Sequence, residues 1–507
     1  MSHVATLPPQ VRPPALVLSE LSPEAVGAEV IALPVQPEDA RGALLVGPGA
    51  AALVERYHLL EILELEGATG KAGEVISFPV AGAGVLKRIL LLGVGDQSRT
   101  AFRRAGASLA RATRDRETVA TTIPALDPAV ALEPFVVGAI LGSFDFQWRS
   151  QGPVWKPPET ITLAELDESF AAELARAVAL GDAGWRARFL ATVPAILKNP
   201  AWLADQATAA AAEVGLAVKT WDEKALAKDG FGGILAVGRA SATPPRLIRL
   251  DYKPAKAGRR TPTVALVGKG ITFDTGGLNL KPAEGMVTMK RDMTGGAVVL
   301  ATMAALAAVG CPVKVTGLIA SAENAVSGSA LRPGDVITHY GGRTSEVTNT
   351  DAEGRLVLGD AMAYAVEQVK PDVLIDIATL TGAMKVALGQ QVGGYFANDE
   401  ALAALLREAA ETSGEPLWRM PLAEAYEERL ASKIADADNA PGGPGAITAA
   451  LFLQHFAGGL PWAHLDIASV GDSPADTFEW TLGPTGFGAR LLLTWLGSED
   501  PLAGVLG

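Results

Sequence analysis

Residues 293–313 carry no charged side chain and are long enough to cross a bilayer, so the chain must either insert them into a membrane or bury them completely. Gly295 and Gly296 interrupt the start of this stretch, and Gly310 and Pro312 interrupt its end. What remains, 297–309, is alanine-rich and has the length of one buried helix. Apolar runs of strand length flank it, 263–267 before and 314–319 after, so the expectation is a buried helix packed on a sheet rather than a membrane span.

The same alternation runs along most of the chain. Between residue 16 and about 166, strands at 87–94 and 118–123 alternate with helices at 99–114 and 128–143, which suits a small α/β domain. Gly152-Pro153 and Lys156-Pro157-Pro158 form a stiff segment, followed by a helical pattern over 168–181. Beyond it come a helix at 201–214 and strands at 215–220, 233–237, 247–252, 263–267, 314–319, 372–378 and 463–467, with helices at 355–369 and 487–495. At 507 residues and 49% apolar, the chain supports two cores. The expected organisation is α/β throughout: an N-terminal domain at 1–167, a connecting helix at 168–188, and a larger α/β domain at 189–507 with a mixed, largely parallel central sheet.

Charge and composition remove several functions. A formal charge of −13 argues against a nucleic-acid partner, because phosphate binding requires basic surface. One region, with Arg99, Arg103, Arg104, Arg111, Arg114 and Arg116, is locally basic; lacking interleaved aromatics, it is expected to be a solvated face. The single cysteine, Cys311, allows no intrachain disulfide and suits a reducing, cytoplasmic setting. Residues 1–14 lack the basic cluster and apolar core of a signal peptide. The histidines His3, His58, His339, His455 and His464 form no paired zinc pattern, so a metal site would have to use carboxylates and perhaps lysine. His464 itself is expected to be packed or hydrogen-bonded.

Such carboxylates are present. Residues 349–356, NTDAEGRL, set Asp351, Glu353 and Arg355 at i, i+2, i+4 among small residues. In extended backbone the three would share a face, and the two carboxylates would repel unless a cation lay between them. Upstream, Lys269, Asp274 and Lys281 lie on what reads as a glycine-rich turn after the strand 263–267, and Met289-Lys290-Arg291-Asp292 follows. Both groups sit beyond predicted strands, where open α/β sheets bind ligands.

The run from Val267 to Leu356 resembles the leucyl (cytosol) aminopeptidases, two-metal exopeptidases that remove a preferably apolar, leucine-like N-terminal residue. The resemblance implies two divalent ions, zinc or manganese, with Asp274 and Glu353 bridging them. It also implies that Lys269 and Asp292 complete one ion and Asp351 the other, and that Lys281 faces the developing oxyanion. Arg355 would hold a bicarbonate ion as proton shuttle. Thr379, Leu380 and Gly382 correspond to a segment that holds the substrate backbone, and Met289 and Ala468 to the lining of the first-residue pocket. A homohexamer acting on peptides follows from the same resemblance. Thr275 and Thr294 stand where the family more often has other small residues, and 188–202 follows its interdomain entry only loosely. Two other readings remain at this point: another two-metal hydrolase such as a phosphoesterase, and a DNA-binding accessory protein of the same fold.

Overall fold

The computed structural model describes residues 6–37, 44–82 and 84–506; Met1–Ala5, with His3, lie outside the described residues. The chain divides into two compact units, one holding Leu7–Trp185 with Pro474–Leu482, the other Arg186–Ser473 and the residues from Gly483 onward. A 22-residue helix, Ala171–Thr192, runs through the expected connection. No helix among the described residues is long and apolar enough to cross a membrane.

In the N-terminal unit the strands are β1 (Ala15–Ser19), β2 (Val30–Pro37), β3 (Leu44–Val46), β4 (Val75–Pro79), β5 (Arg88–Gly93), β6 (Thr118–Thr121) and β7 (Thr160–Ala164). They form one sheet in the order β1-β7-β6-β2-β5-β4, with β3 on β2; only β3 and β4 pair antiparallel. Helices Arg99–Ala112 and Pro128–Gly142 cross so closely that a methyl on Gly138 would overlap the Arg103 carbonyl oxygen, and one on Gly106 that of Phe135.

The basic region differs from the solvated face expected of it. Arg103 is buried against Glu479 at 2.6 Å, Arg111 donates to the Trp480 carbonyl at 2.6 Å, and Arg104 stacks on Phe478. Arg99 pairs with Glu133, Arg116 with Glu29, and Arg114 lies over Trp155. Half of these partners, Phe478, Glu479 and Trp480, come from the segment Pro474–Leu482, far away in sequence, which is why local composition did not reveal them.

The second unit carries β8 (Ala217–Trp221), β9 (Arg246–Tyr252), β10 (Thr263–Asp274), β11 (Lys314–Asn324), β12 (Val336–Thr338), β13 (Thr344–Glu346), β14 (Val373–Ala378), β15 (Gly393–Ala397), β16 (Leu417–Arg419), β17 (Ala437–Asp438) and β18 (Trp462–Asp466). Eight of them form the sheet β16-β15-β18-β14-β10-β11-β9-β8. Its centre, β18-β14-β10-β11, is parallel, and antiparallel pairing enters at β15–β18 and β11–β9. Strands β12, β13 and β17 make a separate small sheet.

Three sequence-based expectations need correction here. Residues 233–237 are not a strand but part of helix Gly232–Gly238, with Ile234 and Val237 buried in the core; a short apolar run does not reveal its own period. Strand β10 does not end at residue 267: it continues to Asp274, and the turn comes at Gly276 and Gly277, with φ of 84° and 63°. Residues 365–369, expected to continue the preceding α-helix, close it as a π-turn.

The uncharged stretch does become a buried helix, Thr294–Ala305. Its first turn lies directly on the sheet. A methyl on Gly268 of β10 would come within 2.6 Å of the Gly295 carbonyl oxygen, and one on Gly295 would overlap the Ile377 carbonyl oxygen of β14. The glycines thus serve close packing of helix on sheet, and that packing brings the residues just before the helix over the end of β10.

Candidate active site

The site is built at the carboxyl ends of the parallel strands. Lys269, 2% exposed in the middle of β10, is 2.8 Å from Asp292 and 2.8 Å from Glu353 and donates to the Thr379 carbonyl at 3.1 Å. Asp292 reaches it because it immediately precedes the buried helix, and its other oxygen accepts from the Thr379 hydroxyl at 2.8 Å. At the last position of β10, Asp274 accepts from the Gly276 amide and from Asn324 at 2.8 Å each. A register shift against β11 between Ile271 and Asp274 accompanies this geometry. Lys281 returns over the turn to 2.9 Å from Asp274 and 2.5 Å from Asp351.

Asp274, Asp351 and Glu353 present oxygens that all lie within 4.8 Å of one another. The backbone that achieves this is not the extended one expected. Glu353 has φ −73° and ψ −34°, and helix Gly354–Tyr364 begins directly after it, so Arg355 lies inside the first turn. The i, i+2, i+4 argument therefore fails for Arg355, which makes no ion pair with Asp351 or Glu353 among the described residues. Its Nη1 instead donates to the Asn439 carbonyl at 2.6 Å, and its Nε is buried without an acceptor.

Side chains that sequence reasoning missed hold these loops. Asn439, fully buried, accepts from the amides of Thr348 and Asn349 and donates to the Asn349 carbonyl at 2.8 Å. The Thr350 hydroxyl donates to the Gly276 carbonyl, and the Asn279 side chain accepts from the Thr350 amide, tying the two acidic loops together. Asn324 bridges Asp274 and the Thr350 carbonyl. None lies in a pattern that spacing could flag, because each acts across the fold.

The Thr379–Gly382 segment follows β14 beside this cluster. Asp466, buried at the end of β18, accepts from the amides of Leu380, Thr381 and Ala468 and from the Thr381 hydroxyl, at 2.6 to 3.4 Å. One carboxylate thereby orients both the 379–382 segment and Ala468. Met289 is half-buried on the turn Met289–Arg291, three residues before Asp292. His464 is buried with its Nδ1 2.5 Å from Asp376, a hydrogen-bonded packing role.

Electrostatically the cluster wants cations. Burial, then the neighbouring Asp274, push Glu353 up to about 8, and burial foremost pushes Asp292 up to about 6. For Lys269, burial opposes the charge, but the carboxylates of Asp292, Glu353 and Asp274 outweigh it and hold the ammonium above the ordinary lysine value. The same balance raises Lys281. Four carboxylates face only two ammoniums, and Glu353 Oε2 is buried without a hydrogen-bond partner. Hard carboxylate oxygens plus a lysine nitrogen that would lose its proton suit divalent ions. The site is a carboxylate centre for divalent metal. Burial also pushes the Arg355 guanidinium down to about 10, still cationic at neutral pH, with its Nε left without an acceptor.

The chain is similar to known proteins over most of its length. The family model described as the cytosol aminopeptidase family, catalytic domain, matches residues 185–493, and the corresponding N-terminal domain matches 43–149. A probable cytosol aminopeptidase of Streptomyces avermitilis is 42% identical, over 97% of this chain and 100% of its own length. One from Leifsonia xyli subsp. xyli is 40% identical over 95% and 98%. Among solved structures, a variant of tomato leucine aminopeptidase superposes with a TM-score of 0.85 at 31% identity, covering 96% of this chain and 97% of that one. The bottromycin maturation enzyme BotP in complex with Mn gives a TM-score of 0.82 at 35% identity, covering 93% and 99%.

Proposed function

We infer, from the premise that this chain belongs to the cytosol aminopeptidase family and is a metal-dependent exopeptidase, that it removes an apolar, leucine-like residue from the N-terminus of peptides using two divalent ions. The observation that carries the reading is the convergence of Asp274, Asp351 and Glu353. Asp274 and Glu353 would bridge the ions, Lys269 and Asp292 would complete one, and Asp351 the other. The Mn complex of a similar structure favours manganese, with zinc as the alternative. When bound, such a pair supplies an activated water and a hold on the substrate carbonyl.

The chain's own residues do the rest. Lys281, on the rim of the cluster and 17% exposed at its side chain, is cationic and would stabilise negative charge on the carbonyl oxygen. Arg355 would grip bicarbonate through its guanidinium, and that anion supplies a proton-accepting oxygen when bound. Thr379, Leu380 and Gly382 would hold the substrate backbone, and Met289 and Ala468 would line the first-residue pocket. A cytoplasmic setting is supported by the relatives' naming as cytosol aminopeptidases. We assign no nucleic-acid partner, because the guanidiniums of the basic region are engaged within their own unit. A homohexamer is the proposed assembly, checked by light scattering.

Hydrolysis of a dipeptide panel, with defined metals added to stripped enzyme, tests the reading. Leucine-first dipeptides should be cleaved only after metal is restored. Cleavage of a phosphomonoester in place of the dipeptides would instead identify another two-metal hydrolase.

A further inference from the structure

Residues 188–202, which follow the family pattern only loosely, hold a lysine the mechanism above does not use. Lys198 is fully buried, and its Nζ donates to the backbone carbonyls of Leu190 at 2.9 Å, Ala191 at 2.9 Å and Lys290 at 2.5 Å. Two of the acceptors belong to the last turn of helix Ala171–Thr192, where carbonyls lack intrahelical partners and carry partial negative charge. In return, Lys290 donates from its side chain to the Thr192 carbonyl at 2.7 Å. Burial, then the neighbouring Lys290, push Lys198 well below the ordinary lysine value, and burying such a polar group is costly unless its partners are fixed around it.

What it fixes is the metal segment. Lys290 is two residues from Asp292, and the following Arg291 pairs with Asp472 at 2.9 Å. The reach of Asp292 to Lys269 therefore depends on a turn held from outside by the helix end through two lysines.

We propose that Lys198 and Lys290 form a reciprocal clamp that positions the Asp292 turn, making them positioning residues for the divalent ion held by Lys269 and Asp292. The proposal rests on the reading of Asp292 as a ligand. Groups that orient a metal ligand without touching the ion typically alter affinity about 10–100-fold, and the clamp is expected to act in that range. The carboxylates Asp274 and Asp351 have no contact with it, so the second ion is spared.

The test titrates Mn2+ alone into the metal-stripped full chain, following free Mn2+ by electron paramagnetic resonance. It compares wild type, Lys198→Met, Lys290→Met and Asp292→Asn. Both lysine variants should weaken one class of Mn2+ sites about 10–100-fold and leave the other at its wild-type affinity. Lys290→Met, at a half-buried position, decides the matter if Lys198→Met does not fold. A folded Lys290→Met that binds both ions like wild type, while Asp292→Asn weakens one, would overturn the clamp and leave the ligand reading standing. If Asp292→Asn also bound both ions normally, the ligand reading itself would fall. A lower unfolding temperature with both classes intact would reduce the lysines to a helix cap.

Discussion

Gly295→Ala is the most demanding perturbation of this architecture, because it alters no site residue. The added methyl would overlap the Ile377 carbonyl oxygen and lie 2.9 Å from the Ile377 carbonyl carbon and 3.0 Å from the Lys269 backbone nitrogen. Carbon atoms rest about 3.5–4.0 Å apart, so the helix must lift by about 1 Å. Ile377 cannot yield easily, since it pairs with Gly268 in the middle of the sheet. Overpacking of this kind costs about 1–3 kcal/mol of stability. The same shift moves Asp292 relative to Lys269, and misplacing a catalytic group by about 1 Å can cost about 10²-fold in rate. Gly285→Ala is the control: nothing lies near its methyl position, and its backbone needs no glycine, so a change within about 0.5 kcal/mol is expected. Thermal unfolding and initial rates on a leucyl anilide, both with excess Mn2+, read the two effects. Gly295→Ala with wild-type stability and rate would refute the claim that helix-to-sheet contact sets the position of Asp292.

Three further outcomes follow from the site. Lys281→Ala should lose about 10²–10³ in turnover, the usual cost of one oxyanion donor, with metal content unchanged on elemental analysis; loss of metal would make Lys281 a ligand. Wild-type activity should respond to bicarbonate in degassed buffer, and Arg355→Ala should abolish the response while keeping metal. Arg355→Lys should recover little, because an ammonium cannot grip a planar anion through two parallel bonds. The third outcome concerns pH. Glu353 is raised from its ordinary 4.5 to about 8 and Asp292 to about 6, so the folded metal-free protein holds protons there that the unfolded chain has released. Unfolded minus folded protonation is then negative, and metal-free stability should fall as pH rises from about 4.5 through 8. Metal displaces those protons, so Mn2+ affinity should rise over the same window with proton release, seen by calorimetry in buffers of different ionisation heat.

Much of the fold was readable because periodicity and charge are local. The uncharged run 293–313 identified a buried helix, and the alternation of strands and helices gave the α/β class. Where period was ambiguous, as in the short apolar run 233–237, the reading failed. The acidic motif pointed to carboxylates that do converge, yet for a mistaken reason: a helix start at Gly354, not an extended strand, sets their directions. Asn324, Asn439, Asp466 and Lys198 were invisible because, the Ala468 amide on Asp466 aside, the partners named for them lie 7 to 92 residues away and are in large part backbone atoms. The engagement of the basic region by 474–482 was hidden for the same reason.

The central claim is that Asp274, Asp351 and Glu353 gather around catalytic metal, and Glu353 tests it best because one of its buried oxygens has no partner in the protein. Metal content and leucyl-dipeptide hydrolysis should be measured on the same preparation of Glu353→Ala. Bound metal and turnover should be lost together in a protein that remains folded. A folded Glu353→Ala that retains two metals per chain and near-normal turnover would contradict it.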